Sequence, residues 1–145
     1  QNFADDGDYL KSVEIEIDKQ LRAIQPNFLG NVVLSQSRNK SYFRGIRVAM
    51  NLDCELSIDD VVKIYDNIYD DHNLTFICPE PVDIKEVEGT DKCLISLLKN
   101  DNKGLNINSV ADFYLRGGAG EAVHVMNLLC GLMERTGLML KTITY

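Results

Sequence analysis

The sequence lacks an excess of positive charge and any long apolar run. Its 15 lysine and arginine residues are outnumbered by 22 aspartate and glutamate residues, which gives a net charge of −7. This balance argues against nucleic acid or an anionic membrane surface as the main partner. No apolar run reaches the roughly 18 residues of a membrane span, and the chain does not begin with a basic-then-apolar signal peptide. We therefore expect a cytoplasmic protein with neither kind of partner.

Paired cysteines are also missing. The four cysteines are far apart and form no CxxC pair: Cys54, Cys78, Cys93 and Cys130. Separate thiols of this kind are typical of reduced, mostly buried cysteines in a cytosolic protein. The acidic residues at positions 5–8 lack the rest of an EF-hand pattern and are predicted to be a frayed terminus. We therefore predict no metal site.

No phosphate-binding motif of a nucleotide-binding domain is present, neither GxGxxG nor a phosphate loop with Lys and Ser/Thr. Residues 116–133 show another pattern, in which a glycine run is followed by helix formers that are apolar on nearly every side. Glycines let backbone N–H groups approach a ligand closely, and a helix start concentrates such donors. The polar residues of this helix form one narrow stripe, which suggests a cleft or an interface: Glu121, His124 and Asn127. A glycine turn before a core helix is the alternative.

Three helices are predicted. Residues 12–24 fit an alternating strand as well as a helix, and their strong helix formers favour the helix. Residues 57–71 predict a second helix that is capped by Ser57, and residues 121–134 predict a third. The core side of the second helix is predicted to be Ile58, Val61, Val62, Tyr65, Ile68 and Tyr69.

Short strands joined by polar turns alternate with these helices. Strands are predicted at residues 31–36, 45–54, 74–78, 93–98 and 105–115, and residues 82–91 are expected to be a loop with a further short strand. The pattern predicts an α+β fold, with a mixed, largely antiparallel sheet of about six strands and helices packed on one face. No linker or repeat interrupts the chain, so we expect one domain over residues 1–145.

Three short motifs follow one another along the chain. The first is Arg44-Gly45-Ile46, at the mouth of a predicted strand, and the second is Pro81 with Val87, Gly89 and Cys93. The third begins at Asp112 and continues with Gly117, Gly120, Ala122, Val123, Met126 and Asn127. The last motif resembles the signature Asp-Asn-x-x-Lys-Gly-Ala-x-Gly-x-Ala-Val-x-x-Met-Asn. Over about residues 9–138, the chain resembles the C-terminal half of N-acetyl-gamma-glutamyl-phosphate reductases and their aspartate-semialdehyde dehydrogenase relatives.

The resemblance implies the catalytic and dimerisation domain of an NADP-dependent oxidoreductase of arginine biosynthesis. Such enzymes carry a nucleotide-binding domain first and a Cys nucleophile at the junction, and they reduce an acyl phosphate to a semialdehyde. Both of these parts are absent from this chain, so the isolated chain is expected to be inactive. The resemblance places part of the third motif near NADP: Gly117, Gly118, Gly120 and Glu121.

Two further expectations concern the substrate and the oligomer. Arg38 and Arg44 lie near strand starts, where a guanidinium group could hold an acyl phosphate or a carboxylate. A single sheet covers only one side of the third helix, so Val123, Leu128 and Met133 cannot all be buried by one copy of the chain. We therefore expect a homodimer or a larger homo-oligomer, with the missing N-terminal domain as a further partner.

The sequence departs from the family pattern at three positions. Lys11 stands where the resemblance predicts the catalytic His, Phe113 stands for the Asn after Asp112, and Glu121 stands for a Gln. Besides an unrelated α+β binding domain, two interpretations stay open. The chain is either the C-terminal domain of a reductase or a non-enzymatic dimerisation or regulatory domain that kept the fold and lost the catalytic residues.

Overall fold

The computed structural model of the protein describes residues 6–30, 33, 44–99 and 104–140. The chain divides into two compact units, Gln1–Lys40 and Ser41–Tyr145. The described part of the first unit contains helix α1, Asp6–Ile24. Arg22 stabilises its last turn, because the Nε atom lies 2.7 Å from the Asp18 carboxylate one turn earlier.

Helix α1 confirms the helical interpretation of residues 12–24, but it begins earlier than predicted. Residues 6–8, which were expected to be frayed, belong to its first turn. The predicted apolar side is Val13, Ile17, Leu21 and Ile24. The first three are half-buried, and Ile15 on another side is 63% exposed, but Ile24 is 85% exposed, so its predicted place on this side is wrong. This spacing is that of a helix and not of an alternating strand.

The second unit is built on a four-stranded mixed sheet. Its strands are β1 (Gly45–Asp53), β2 (Thr75–Cys78), β3 (Cys93–Lys99) and β4 (Gly104–Asp112). They are arranged in the order β1-β4-β3-β2. Strands β1 and β3 pair antiparallel with β4, and β2 pairs parallel with β3. The sheet is therefore mostly antiparallel, as the sequence predicts.

Helix α2 (Ile58–Tyr69) covers the β2–β3 side of one sheet face. Its predicted cap is confirmed, because the backbone N–H of Asp60 donates to the Ser57 hydroxyl at 3.2 Å. The core of this face consists of Val61, Ile95, Leu97, Leu105 and Ile107. Ile68, by contrast, is 56% exposed in the last turn, so its predicted place in the core is wrong.

The opposite face of the sheet is covered by a loop and not by a helix. Its core consists of Val82, Ile84, Val87, Leu94 and Val110. Residues 82–91 form no strand and contain a short 3₁₀ helix, Ile84–Glu86. Asp83 starts that helix, because its carboxylate accepts the Lys85 N–H at 2.9 Å while the Glu86 carboxylate accepts the Asp83 N–H at 2.6 Å. These local hydrogen bonds compete with strand pairing.

The described residues therefore contain four strands, against the six or so predicted. The predicted strand at residues 31–36 lies outside the described residues, apart from residue 33, which is not in a strand. Strand β4 ends at Asp112, three residues before the predicted end. Helix α3 (Gly120–Leu129) ends five residues before the predicted position 134. It stops just before Gly131, whose φ of 64° is left-handed and suits glycine.

One row of apolar side chains on the sheet is left half exposed. The row consists of Ile46, Val48, Met50 and Leu52, which are 40 to 52% exposed. Strand β1 lies at the end of the sheet order, and its register with β4 places this row on the same face as α2. Helix α2 covers the other side of that face, so within residues 44–99 and 104–140 no element covers the row.

Candidate functional site

The candidate site is the corner of the second unit where β4 ends and the glycine run begins. Asp112, the last residue of β4, is fully buried. Its Oδ2 atom accepts hydrogen bonds from Arg44 Nε at 2.9 Å and from the Gly89 N–H at 2.8 Å. Its Oδ1 atom accepts from the N–H groups of Tyr114 at 2.9 Å and Leu115 at 3.0 Å.

Four donors therefore meet one carboxylate. Burial alone would raise the pKa of Asp112, but the hydrogen bonds from Gly89, Leu115 and Arg44 outweigh burial and hold the pKa below the ordinary value of 3.8. The carboxylate thus stays ionised near neutral pH. It joins the start of β1, the loop before β3 and the start of the glycine run.

Arg44 is held in one orientation by this carboxylate. Besides the Nε hydrogen bond, its guanidinium carbon lies 5.8 Å from the centre of the Tyr114 ring. The side chain is 31% exposed. Its two terminal amino groups make no hydrogen bond to another described residue. A guanidinium held on one side and open on the other presents two parallel N–H donors to an oxyanion.

The glycine run is helical and not an open loop. Leu115–Ala119 forms a π-helical turn that passes directly into α3. Gly117 and Gly118 are exposed, and a Cβ atom at either position would meet only ordinary contacts with Phe113, at 3.7 and 3.8 Å. The fold of the described residues therefore does not require glycine at these two positions. Open backbone of this kind permits the close approach of a ligand or another domain.

Gly120 is required for packing instead. It is buried, and a Cβ atom there would collide with the carboxylate of Asp91. Asp91 is 1% exposed, and within the described part of the chain neither of its oxygens has a hydrogen-bond partner. Burial raises the pKa of Asp91 above 3.8; Arg116 and His124 lower it, while Glu121 and Asp112 raise it further.

The polar stripe of α3 borders this second carboxylate. Glu121 is exposed, and its carboxylate lies 3.7 Å from Arg116 Nη1 and 3.8 Å from His124 Nδ1. His124 Nε2 lies 2.7 Å from Glu134 Oε1. The hydrogen bonds that Glu134 accepts from His124 and Asn73 lower its pKa, so an ionised acceptor faces the imidazole. His124 is therefore a helix residue at a polar interface, as the sequence predicts.

Asn127 completes the stripe and fastens the segment that follows α3. It is 1% exposed, and its amide donates to the backbone carbonyls of Glu134 and Thr136, each at 2.9 Å. The two hydrogen bonds hold residues 134–136 against the helix. Thus Asn127 has a structural role, whereas the start of the stripe is open to solvent at Glu121.

The structure brings together most of the site residues that the sequence predicts. Asp112 connects Arg44 with the turn that carries Gly117 and Gly118, and Glu121 follows within the same helical run. Gly120 is covered by Asp91. Of the other predicted residues, Lys11 is exposed on α1 in the first unit, and Arg38 lies outside the described residues.

Asp91 was missed by the sequence analysis. No motif singles it out, and only its contact with Gly120, 29 positions later, shows that it belongs to the corner. Asp112 was named only as the first residue of a motif, without its four hydrogen bonds. In the described ranges, no three His, Cys, Asp or Glu side chains are grouped to hold a metal ion. No described helix is long and apolar enough to cross a membrane.

Comparison with known proteins identifies the family. Residues 14–112 match the family described as semialdehyde dehydrogenase, dimerisation domain. The chain is 41% identical over 126 residues to the N-acetyl-gamma-glutamyl-phosphate reductase of Parabacteroides distasonis, covering 87% of this chain and 38% of that protein. It is 45% identical over 101 residues to the reductase of the same name from Azobacteroides pseudotrichonymphae, covering 70% and 31%.

A third relative, the N-acetyl-gamma-glutamyl-phosphate reductase of Phocaeicola vulgatus, is 35% identical over 126 residues, again with 87% of this chain and 38% of that protein covered. The chain thus spans between 31% and 38% of the length of these relatives. The matched range begins in α1 and ends at Asp112, the residue on which the corner is built. The chain therefore belongs to the family of semialdehyde dehydrogenase dimerisation domains.

Proposed function

We propose that the chain is the C-terminal domain of an NADP-dependent N-acetyl-gamma-glutamyl-phosphate reductase, a cytoplasmic enzyme of arginine biosynthesis that makes a semialdehyde from an acyl phosphate. The observation that carries the proposal is the 41% identity over 87% of the chain to a reductase of that name.

The exposed backbone at Gly117 and Gly118 fits a cofactor, because a Cβ atom would occupy the open space beside it. NADP, when bound, supplies the hydride. In this proposal, the two glycines would let the backbone approach the cofactor closely, and Glu121 would suit its uncharged amide better than its phosphates, because a carboxylate repels phosphate. Gly120 supports this arrangement by packing against Asp91.

Arg44 would hold the anionic part of the substrate. Its guanidinium is oriented by Asp112 and Tyr114, and its side chain is 31% exposed. Two parallel N–H donors match two oxygens of a phosphate or carboxylate group. Arg38 is proposed as a second substrate-binding arginine. The nucleophilic thiolate belongs to the missing nucleotide-binding domain and its junction, so we expect no turnover of NADPH and acyl phosphate by the 145 residues alone.

A chimeric enzyme tests the proposal. The chain replaces the matching C-terminal part of the Parabacteroides distasonis reductase, and NADPH oxidation is measured with an acyl phosphate. We expect activity, and we expect its loss when Arg44→Ala is introduced, with Asp66→Ala on the exposed side of α2 as the matched control. A folded chimera without activity would contradict the proposed reductase function. It would favour a non-enzymatic domain, the interpretation that Lys11 and Phe113 motivate.

The half-exposed apolar row of β1 supports a homodimer. Monomers rarely leave a continuous apolar patch in water, and each such side chain gains about 1.5–3 kcal/mol on full burial. The second apolar surface, on α3 and the segment after it, includes Leu128 and Met133, which are 56% and 68% exposed. We propose that the sheets of two copies pair and that the missing domain covers α3.

Light scattering on the isolated chain measures the oligomer. A mass of twice the chain is expected, and a monomer at micromolar concentration would contradict the dimer. Val48→Lys places a charge in the apolar row and should shift the mass towards the monomer. Ala49→Lys is the matched control, since Ala49 is also exposed and lies on the opposite face of the same strand. Dissociation by Ala49→Lys alone would assign the interface to that face.

A further inference from the structure

The two oxygens of Asp112 divide their hydrogen bonds between different parts of the corner. Oδ2 holds the side chain of Arg44, 68 positions earlier in the sequence, together with the Gly89 N–H. Oδ1 holds the two N–H groups that begin the helical run, at Tyr114 and Leu115. A direct backbone hydrogen bond of 2.8 Å, from the Phe113 N–H to the Arg44 carbonyl, closes the ring. Any shift of this carboxylate therefore moves both parts.

We propose that Asp112 is a positioning residue, which fixes the guanidinium of Arg44 relative to the glycine run so that Arg44 holds the anionic substrate beside the ligand that the glycine run approaches. Asp112 touches no substrate in this arrangement, and its role depends on the proposed function of Arg44. A cap on a helix start needs only Oδ1. The use of Oδ2 to orient a half-exposed arginine exceeds what the helix requires.

For the binding of an anion by Arg44, the position of its N–H groups matters more than its charge, because Asp112 balances that charge. Arg44 and Asp112 together carry no net charge, so a substrate anion is attracted mainly by the directed terminal N–H groups and not by an uncompensated cation. These groups are fixed in one plane, because Nε is bonded to Asp112 and the guanidinium lies over Tyr114. A guanidinium held in its binding orientation loses little conformational entropy when the anion binds.

The experiment measures the affinity of the 145-residue chain for inorganic phosphate by NMR, from the amide shifts of residues 114–120. Asp112→Asn removes the charge and one acceptor, whereas Asp112→Glu retains the charge and moves it by one methylene group. We expect each variant to weaken phosphate binding by about tenfold or more, because a charge-assisted hydrogen bond is lost or displaced. Asp66→Asn, a change on the exposed side of α2, should bind phosphate like the unchanged chain.

A purely structural role is separated from positioning by a double-variant cycle. Arg44→Lys should weaken binding by itself, and in that background Asp112→Glu should have little further effect, because its target has been removed. The spectrum of β3 and α2 reports whether each variant is folded, and Asp112→Glu carries the test if Asp112→Asn unfolds. Unchanged binding in a folded Asp112→Glu would overturn the positioning role and leave the proposed function intact. Equal binding by the unchanged chain and Arg44→Lys would instead refute the substrate role of Arg44, and with it the proposed function on which positioning depends.

Discussion

Two buried aspartates lie next to the glycine run, and they differ completely in the hydrogen bonds that they receive. Asp112 receives four hydrogen bonds, and its pKa lies below the ordinary value. Asp91 is equally buried and receives no hydrogen bond from the described residues, and its pKa lies above the ordinary value. A buried carboxylate stabilises a fold only when donors replace the water that it loses. Burial alone therefore says little about the contribution of either residue.

The difference also separates two tasks within the corner. Asp112 connects Arg44 to the start of the helical run and keeps that side rigid. Asp91 fills the space under Gly120, beside Arg116 and His124, and its charge is poorly compensated there. At neutral pH, the Asp112 carboxylate thus stabilises the fold, whereas the Asp91 carboxylate destabilises it. Three substitutions test this contrast.

Removal of the Asp112 carboxylate should have the largest effect. Asp112→Ala leaves Arg44 and three backbone N–H groups without their acceptor, so we expect the free energy of unfolding to fall by about 3–5 kcal/mol. Urea unfolding measures the change. Asp66→Ala, on the exposed side of α2, should change the same quantity by less than about 0.5 kcal/mol. Equal effects at the two positions would show that the four hydrogen bonds contribute nothing.

A methyl group at residue 120 should have the second largest effect. Gly120→Ala forces a Cβ atom against Asp91, and overpacking of this kind costs about 1–3 kcal/mol. Gly118→Ala is the matched control, because its Cβ atom has room and alanine favours a helix by up to about 1 kcal/mol. Combining Gly120→Ala with Asp91→Ala should recover most of the loss, and an additive loss would place the collision elsewhere.

The pH dependence of stability should reveal the smallest effect. The folded pKa of Asp112 is lowered, so its contribution is present above pH 3.8 and is lost as the pH falls through the folded pKa. The folded pKa of Asp91 is raised, so the folded state binds the proton more tightly, and stability falls as the pH rises from 3.8 through that pKa.

Asp91→Asn should therefore abolish the fall in stability and raise the free energy of unfolding at neutral pH by on the order of 1 kcal/mol. Its benefit should disappear below pH 3.8, where Asp91 is protonated in both states. Urea unfolding over a series of pH values measures both. The Glu134 carboxylate, whose pKa is lowered, is the reference, since Glu134→Gln should act in the opposite direction and lower stability at neutral pH.

Much of the secondary structure was predictable, because local residue patterns determine it. Strand β1, the Ser57 cap of α2 and the helix after the glycine run appear close to where the sequence places them. The apolar row of β1, expected from its alternation to be buried, is half exposed in the described residues. The errors in the predicted secondary structure mainly concern the positions at which elements end. The predicted strand extension to residue 115 fails because Asp112 captures the next N–H groups, and α3 stops early because Gly131 is left-handed.

Only part of the candidate site could be predicted from the sequence. Arg44 and the exposed glycines could be selected, since arginine and glycine have recognisable roles next to anions and ligands. Asp91 could not be selected, because a buried aspartate has the same sequence signature as an exposed one. The different tasks of Gly118 and Gly120 were equally invisible, because they depend on what lies above each Cα atom.

The sequence by itself determined the fold class, the approximate positions of most elements and the resemblance that identifies the family, because each depends on short-range patterns or on residue identity. Only the tertiary structure decided which side chains meet. The pair of Arg44 and Asp112 joins positions 68 residues apart, and Asp91 contacts Gly120 only in the folded structure. Hydrogen bonds and desolvation act over a few ångströms of space, whereas a sequence pattern reports only distance along the chain.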